Sequence, residues 1–345
     1  MNPFVSIIIV NYNGEFYLDR CLDSLRATIY PNFEVLVIDN NSTDQSSDLV
    51  KRKYPYVKLI KLNKNLGFAI ANNLAAKEAK GDFYIFLNND TIVTGTWLSE
   101  LVNAIIESED KEVAIAQSFL LRHDGEIDSS GDFIDKFGRS YSSKLKNPPD
   151  QRQIMSARAA SMIVKKQVFW KLGGFEEIFF ASFEDVHLGW KAWIAGYKVI
   201  LASNSIVYHF TGQTVKRLKS TMNFHSMKNQ ACIILLNFEF PLCIKNLLSL
   251  VPLYKPSIRC TKQGQDEQGV SGKQAREGED QNLSTIAPEI YSNPVLLKDV
   301  LKTFWWISSH TLALYKKYRQ INRMRVRSTD CLIKMGLITN HRYEK

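Results

Sequence analysis

Short apolar runs alternate with amphipathic stretches along the first 120 residues of this 345-residue chain. Five apolar runs, several of them rich in β-branched residues, predict strands at residues 5–10, 35–38, 57–62, 83–87 and 113–116. Between them apolar residues recur at helical spacing, most clearly over 97–106. This alternation predicts an α/β fold, with a mostly parallel, doubly wound sheet and helices on both faces. The strands are apolar on both sides, as such a sheet requires.

Each of the first four predicted strands ends in a polar cluster. The clusters contain Asn11 and Asn13, Asp39 and Asn40, Asn65, and Asn88, Asn89 and Asp90. The carboxyl ends of parallel strands meet at one edge of a sheet, which is where open α/β sheets bind ligands. Asn and Asp also favour loops for conformational reasons alone. Four clusters in register nevertheless favour a binding edge.

The run from Tyr84 to Asp90 is the most informative of these clusters, because an apolar strand ends in two amides and a carboxylate. A hard cation takes oxygen ligands and leaves positions open for phosphate oxygens. Asp90 can bridge through such a cation to a diphosphate, and Asp39 can accept a hydrogen bond from a base imide or a ribose hydroxyl. These residues predict a nucleotide-diphosphate site.

Other nucleotide and hydrolase sites lack their signatures in this sequence. No Gly-x-Gly-x-x-Gly follows the first strand, and there is no Gly-Lys-Ser/Thr of a P-loop. The Gly-x-Ser-x-Gly turn of α/β-hydrolases is also missing. The five cysteines form no Cys-x-x-Cys pair, so neither a zinc site nor a disulfide framework is indicated.

The second half of the chain adds fewer chemical signals. A helix predicted over 184–195 begins with Glu184 and Asp185, although acidic residues at a helix start are common for capping reasons alone. His209 follows a strand predicted over 198–207, a place where a lone His is more often structural than a ligand. A further strand is predicted over 159–164, and residues 119–155 read as loop-rich and polar.

The chain beyond residue 215 changes character. The segment 216–258 is apolar but contains charges and prolines, and each charge at a bilayer centre would cost about 2.5–3.5 kcal/mol, so a span is not expected. After Pro241, a polar stripe of Lys245, Asn246 and Ser249 opposes an apolar one of Ile244, Leu247, Leu248 and Val251. This pattern suits a helix lying in a membrane interface, or equally a helix packed on the core.

Residues 259–290 are polar and predict a disordered linker, whereas 291–345 predict a basic helical segment with one helix over 295–327. An apolar half bearing Trp305 and Trp306 precedes a basic half, which fits anionic lipid or a solvated basic helix end. The net charge of +9 likewise indicates a polyanionic partner. Nucleic acid is disfavoured, because the basic residues lack interleaved base-stacking aromatics.

Several motifs together resemble family 2 glycosyltransferases of the GT-A fold, near the rhamnosyltransferase-like branch. The resemblance spans about residues 5–215, and the order and spacing of its motifs make it specific. Residues 86–90 occupy the place of the Asp-x-Asp motif of that fold, but Asn88 stands where a first carboxylate can occur. The motifs lie at residues 5–13, 37–44, 63–69, 72–73, 86–90, 173–177, 184–188, 196–197 and 207–209.

The resemblance implies inverting transfer of a sugar from a nucleotide-diphosphate donor to a hydroxyl of a lipid-linked, polysaccharide or glycoprotein-glycan acceptor. Residues 1–215 would form the catalytic domain, with a nucleotide-sugar half (1–117) and an acceptor half (118–215). Asp185 would be the general base beside Glu184, and Asp90 with His209 would bind Mg²⁺ or Mn²⁺. Donor contacts are implied for Asn11, Asn13, Asp39, Asn40, Asn65, Gly67, Phe68, Asn72, Asn88, Asn89 and Asp90.

The expected partners are a nucleotide-diphosphate sugar, a glycan or lipid-linked acceptor and an anionic membrane surface, but no nucleic acid. Because the start of the sequence has no basic region followed by a long apolar one, we expect a cytoplasmic protein at the inner face of the cell membrane. A non-catalytic nucleotide-sugar-binding protein would be expected to lack the base or the metal Asp. A nucleotidyltransferase would want a Gly-rich, basic first loop, which residues 11–14 do not provide.

Overall fold

The computed structural model describes residues 2–210, 219–250, 283–285 and 297–339. Its strands are β1 (Val5–Asn11), β2 (Phe33–Asp39), β3 (Lys58–Lys61), β4 (Phe83–Leu87), β5 (Thr91–Val93), β6 (Val113–Arg122), β7 (Ile127–Ser129), β8 (Asp132–Asp135), β9 (Ser140–Ser143), β10 (Ser161–Lys165), β11 (Lys198–His209), β12 (Leu283–Thr285) and β13 (Ile338–Thr339). Its helices are α1 (Glu15–Leu25), α2 (Ser46–Lys53), α3 (Gly67–Glu78), α4 (Trp97–Ile106), α5 (Lys166–Lys171), α6 (Glu184–Ile194), α7 (Lys219–Asn237), α8 (Leu242–Leu250), α9 (Leu297–Ser309), α10 (Thr311–Arg323) and α11 (Thr329–Lys334).

The main sheet has the strand order β3-β2-β1-β4-β10-β6-β11-β5, with β7 beside β6. The strands β3, β2, β1 and β4 are parallel, which confirms the predicted α/β fold. Strand β10 runs antiparallel between β4 and β6, and β5 runs antiparallel to β11. The sheet is therefore mixed in its second half, because the chain reaches β10 through short strands and loops rather than through a crossover helix.

Helices cover both faces of this sheet. Along β1, Ile7 and Ile9 pack in one apolar layer with residues of α1 and α4, whereas Ile8 packs in the opposite layer with residues of α3 and α6. All three side chains are fully buried. This two-sided burial explains why the strands read as continuous apolar runs, and it fixes the strand ends at one edge.

Residues 119–155 differ from the loop-rich segment that the sequence predicts. The segment contains the end of β6 and strands β7, β8 and β9, and β8 and β9 belong to a second sheet of order β12-β9-β8-β13. These strands bury hydroxyls and carboxylates, such as those of Ser129, Asp132 and Ser142. Their sequences lack apolar alternation for that reason, and a hydropathy pattern cannot reveal them.

The C-terminal helices α9 and α10 pack against α7, and the segment after α10 contacts α6. The guanidinium of Arg327, between α10 and α11, donates to the carbonyl oxygens of Trp193 and Tyr197, at 3.3 and 2.9 Å, and so fastens this segment to the end of α6. The single helix predicted over 295–327 is instead two helices, α9 and α10, which meet at His310. His310 stacks on Trp306, with 4.1 Å between the ring centroids, and its Nδ1 lies 2.8 Å from the carbonyl oxygen of Trp306.

Helix α8 does not present the stripes predicted for it. Asn246 is buried and donates to the carbonyl oxygen of Lys136 at 2.7 Å, while Ile244 and Leu248 are exposed. In the described part of the chain, no helix is long and apolar enough to cross a membrane. Apart from β12, the predicted linker lies outside the described residues.

Candidate functional site

Asn11 joins three of the predicted polar clusters at the carboxyl edge of the sheet. It is the register partner of Asp39 on the neighbouring strand. Its amide nitrogen donates to Ser42 and Ser46, and its oxygen accepts from the Nδ2 of Asn89 at 2.7 Å. The strand ends that the sequence predicted to converge therefore do so through direct hydrogen bonds.

Asp39 shapes the loop after β2. Its Oδ1 accepts from the backbone N–H of Ser42 at 3.0 Å, and its Oδ2 accepts from the hydroxyl of Ser47. The Oδ1 of Asn13 accepts from the backbone N–H of Thr43 at 2.7 Å and closes the same loop. A carboxylate oxygen accepts more than one hydrogen bond, so Asp39 keeps capacity for a ligand at the edge.

Asn40 and Asn65 fasten the β2 loop to the start of α3. The Nδ2 of Asn40 donates to the Oδ1 of Asn65 at 3.0 Å, and its Oδ1 accepts from the backbone N–H of Leu66 at 2.9 Å. The Oδ1 of Asn65 also accepts from the N–H of Gly67 at 2.9 Å. Because these amides bond to one another and to the backbone, their contribution to the edge is to hold its shape.

Gly67 brings this edge close to the segment that precedes α6. Its φ is +81°, and a Cβ at this position would lie 2.3 Å from the carbonyl oxygen of Phe180. The backbone N–H of Phe68 donates to that same oxygen at 2.6 Å. Only glycine fits this approach without a shift of the backbone.

Asn72, another predicted donor residue, is not joined to this cluster. Its Nδ2 donates to the carbonyl oxygen of Phe68 at 3.0 Å within α3, and its side chain is buried. The adjacent Asn73 bonds to both the N–H and the carbonyl of Phe175 and so holds the turn after α5. The prediction of a donor contact for Asn72 remains a prediction.

Asp90 and His209 lie side by side, although 118 positions separate them along the chain. The antiparallel pairing of β5 with β11 sets His209 opposite Thr91. The Nε2 of His209 is 3.3 Å from the Oδ1 of Asp90 and 3.3 Å from the Nδ2 of Asn88. The structure thus brings together the two side chains to which the resemblance assigns the metal.

Buried charges surround His209. Burial alone would lower its pKa, but the charge of Asp90 and the hydrogen bond to Asp128 raise that pKa to about 10. Burial would raise the pKa of Asp128, yet the charge of Arg158 and the bond from His209 lower it to about 2. The two carboxylates on either side of His209 therefore favour the protonated form of its ring.

Asp90 and His209 can supply part of a metal site. Among the described residues, no group of three or more His, Cys, Asp or Glu side chains could hold a metal ion by itself. A cation of the Mg²⁺ type is commonly held by one or two carboxylates together with substrate phosphates. The pair therefore fits a metal that is bound jointly with a diphosphate.

A strained turn positions the start of α6. Ser182 and Phe183 both have positive φ, at +70° and +72°, and such residues cost about 1–3 kcal/mol each. The Nδ2 of Asn229 on α7 donates to the carbonyl oxygens of Ser182 and of the residue before it, at 2.7 and 2.9 Å. Helix α7 therefore supports the turn that delivers Asp185.

Asp185 and the run 88–90 are anchored to the same dipeptide, Ala159-Ala160. Its Oδ2 accepts from the backbone N–H of Ala159 at 3.1 Å. The carbonyl oxygen of Ala160 accepts from the N–H of Asn88 at 3.1 Å. Burial raises the pKa of Asp185, and the bond from Ala159 opposes that rise. The carboxylate of Asp185 and the run 88–90 thus share one rigid support.

Glu184 and His187, on the same helix, are more deeply buried. Burial and the charge of Asp185 raise the pKa of Glu184 well above its usual range. Its Oε2 has no hydrogen-bond partner within the described part of the chain. His187 packs between α6 and α7, where burial lowers its pKa well below the usual value and its Nδ1 lies 3.1 Å from the Nδ2 of Asn237.

Sequence reasoning missed three residues beside this site: Asp128, Asp132 and Arg158. The Nε of Arg158 lies 3.0–3.1 Å from both carboxylate oxygens of Asp132, and its Nη1 lies 3.3 Å from those of Asp128. Asp128 and Asp132 belong to the polar segment 119–155, which carries no hydropathy signal, and Arg158 lies just after it. The only hint in the sequence is the closeness of two acids to serines in an otherwise unpatterned stretch.

The chain is similar to glycosyltransferases in sequence. Its residues 6–173 match the family model described as glycosyl transferase family 2. It is 31% identical over 222 residues to the O-antigen biosynthesis protein RfbC of Myxococcus xanthus, covering 60% of this chain and 17% of that protein. It is 24% identical over 243 residues to an N-acetylglucosaminyl-diphospho-decaprenol L-rhamnosyltransferase of Mycobacterium tuberculosis, covering 63% and 79%. The chain spans less than half the length of several curated relatives that it matches.

Solved structures share its fold. The mannosyltransferase PcManGT of Pyrobaculum calidifontis, in complex with GDP-Man and Mn²⁺, has a TM-score of 0.52 and 17% identity, with 94% of this chain and 84% of that one covered. GalNAc-T7 with UDP, GalNAc and Mn²⁺ has a TM-score of 0.57 and 17% identity, with 70% and 49% covered. The fold agrees with the sequence match, which places residues 6–173 of this chain on the family model of glycosyl transferase family 2.

Proposed function

We propose that this protein transfers a sugar from a nucleotide-diphosphate donor to an acceptor hydroxyl, with inversion at the anomeric carbon. The observation that carries the proposal is the shared anchor of Asp185 and of the run 88–90 on Ala159 and Ala160. That anchor fixes the half-buried carboxylate of Asp185 relative to the edge where a diphosphate would bind. Positioning of this kind lowers the barrier of a displacement because the reacting groups need no further ordering.

Asp185 is the general base of the proposed reaction. The pKa of Asp185 is raised towards neutral pH. A base with such a pKa is still ionised at neutral pH but binds a proton more strongly than an ordinary carboxylate. It would take the proton of the acceptor hydroxyl as the oxygen attacks the anomeric carbon. Attack in a single displacement, opposite the departing diphosphate, produces inversion.

The sheet edge binds the donor in this proposal. Asp39 accepts from the nucleoside, and the amide cluster of Asn11, Asn40 and Asn65 keeps the surrounding loops in place. Asp90 and His209 would hold Mg²⁺ or Mn²⁺ beside the diphosphate. The bound cation would offset the negative charge of the leaving group. The two structural neighbours bound to nucleotides with Mn²⁺ support this choice of ligand.

A lipid-linked or polysaccharide acceptor at a membrane is the second part of the proposal. The names of the two curated relatives, one for O-antigen biosynthesis and one for a diphospho-decaprenol substrate, support this acceptor class. Exposed apolar side chains on α9 and α10 accompany exposed basic ones, and this combination suits an anionic bilayer. The apolar ones are Leu301, Phe304, Trp305 and Leu312, and the basic ones are Lys298, Lys302, Lys316 and Arg319.

A donor screen tests the proposed reaction. UDP-, dTDP- and GDP-sugars with Mn²⁺ are assayed by thermal shift, because a ligand that binds the native state raises its stability. The stabilising donor is then incubated with prenyl-diphosphate-linked glycans, and products are identified by mass spectrometry. We expect stabilisation by at least one donor and a product heavier by one sugar. Donor binding without transfer to any acceptor would favour the non-catalytic binding protein.

Vesicle sedimentation tests the membrane part separately. We expect the chain to sediment with phosphatidylglycerol-rich vesicles and to be released by salt. Phe304→Ser with Trp305→Ser should abolish sedimentation, whereas Ile29→Ser, at an equally exposed residue of the catalytic domain, should not. Equal binding to purely zwitterionic vesicles would contradict the electrostatic part.

A further inference from the structure

A chain of buried polar side chains leads away from the candidate metal site. The Nδ1 of His209 lies 2.9 Å from the Oδ2 of Asp128. Arg158 contacts Asp128 at 3.3 Å and Asp132 at 3.0 Å. Asp128 and Asp132 are 8% and 2% exposed, so water contributes little to their solvation. This series of side chains ends at Arg158. The next residue, Ala159, donates its backbone N–H to Asp185.

The two ring nitrogens of His209 face different partners. Nδ1 faces Asp128, and Nε2 faces Asp90. When one nitrogen of a neutral imidazole, the form that binds a metal, donates its proton to a carboxylate, the other presents a lone pair in a fixed direction. Partners of this kind orient metal-ligating histidines in many proteins.

The need to neutralise the charge of Arg158 does not explain why Asp128 lies where it does. Both oxygens of Asp132 already accept from the Nε of Arg158, at 3.0–3.1 Å. The Oδ2 of Asp128 lies closer to His209, at 2.9 Å, than to Arg158, at 3.3 Å. The position of Asp128 is therefore best explained by its contact with the imidazole of His209. Arg158 contacts the same carboxylate and restrains it.

We propose that Asp128 is a positioning residue for the metal site: it accepts the Nδ1 proton of His209 and directs Nε2 to the cation beside Asp90. Arg158 restrains Asp128 and, through the following Ala159, links this orientation to Asp185. The inference rests on the proposed function, because it requires Asp90 and His209 to hold a metal with the diphosphate.

Binding of Mn²⁺ measures this role without reliance on turnover. Free Mn²⁺ is counted by electron paramagnetic resonance in the presence of UDP or GDP, whichever stabilises the protein. We expect Asp128→Asn to weaken Mn²⁺ binding by about 10–100-fold, as loss of an orienting partner typically does. Asp124→Asn serves as the control. Asp124 lies in the same hairpin as Asp128, but it is exposed and pairs with Arg122. This variant should leave Mn²⁺ binding unchanged.

A double-mutant cycle separates positioning from general structural damage. His209→Gln should weaken Mn²⁺ binding, and Asp128→Asn should cost nothing further in that background if it acts through the imidazole. Additive losses of Mn²⁺ affinity in the double variant would overturn the proposal. Unchanged Mn²⁺ binding in Asp128→Asn, when His209→Gln binds Mn²⁺ more weakly, would overturn it too. Unchanged binding in His209→Gln would instead overturn the metal assignment itself.

Asp128→Glu provides a second variant in case Asp128→Asn does not fold. It keeps the charge that faces Arg158 but moves the carboxylate by one methylene. We expect a folded protein whose Mn²⁺ binding is again weakened. Wild-type Mn²⁺ affinity in Asp128→Glu would count against a requirement for this geometry.

Discussion

Replacement of Gly67 by Ala tests the close approach between the donor edge and the segment that leads to Asp185. Gly67 has φ +81°, and a Cβ there would lie 2.3 Å from the carbonyl oxygen of Phe180 and 2.7 Å from its ring. Gly173 provides a matched control, because its φ is +82° and nothing lies within 4 Å of its Cβ position. The two variants share the conformational cost and differ in the overlap.

The magnitudes follow from these two contributions. An L-residue in the left-handed region costs about 1–2 kcal/mol. Forced overlap in a packed region adds about 1–3 kcal/mol, because the backbone of Phe180 must shift. Gly67→Ala should therefore lose about 2–5 kcal/mol of unfolding free energy, and Gly173→Ala only about 1–2 kcal/mol.

Urea unfolding of both variants, followed by circular dichroism, measures the difference. Turnover assayed well below the unfolding transition should also fall in Gly67→Ala, because the displaced Phe180 belongs to the turn that positions Asp185. Gly173→Ala should retain its turnover. Equal destabilisation of the two variants would refute the argument that the approach to Phe180 requires glycine.

Three further outcomes follow from buried groups. Glu184 has a raised pKa, so the wild type should lose stability as pH rises above the usual Glu range, and the melting temperature of Glu184→Gln relative to wild type should increase from pH 5 to pH 8. The raised pKa of Asp185 should place the acidic limb of the kcat/KM profile above the usual Asp pKa; a limb at or below the usual value would contradict it. Lys191, whose pKa burial lowers to about 8, donates to the carbonyls of Leu172 and Gly174. Lys191→Met should cost about 1–3 kcal/mol in urea unfolding, because it leaves both carbonyls without this donor.

The parallel half of the fold was predictable because its strands and their ends leave a pattern in consecutive residues of the sequence. Strands buried on both faces must be continuous apolar runs, and the polar residues that end them are visible at the same positions in the sequence. The hydrogen bond between Asn11 and Asn89 follows from that register. The direction of β10 was not predictable, because its apolar sequence fits either orientation.

The second half of the site was less accessible to sequence reasoning. The contact of Asp90 with His209 depends on the pairing of β5 with β11, and no spacing in the sequence encodes it. The family resemblance suggested that pair, but it did not reach Asp128 or Arg158. Buried polar networks are recognised by their partners in space, and a strand that buries serines and acids reads like a loop.

Asp185→Asn tests the central claim most directly. The substitution keeps the size of the side chain and one acceptor oxygen, while it removes the base. With the donor found in the screen, we predict that turnover of Asp185→Asn falls by about 10²–10⁴-fold, while its donor affinity stays within a few-fold of wild type. The control variant Asp124→Asn should keep both the turnover and the donor affinity of wild type. Near-normal turnover in Asp185→Asn would contradict the account.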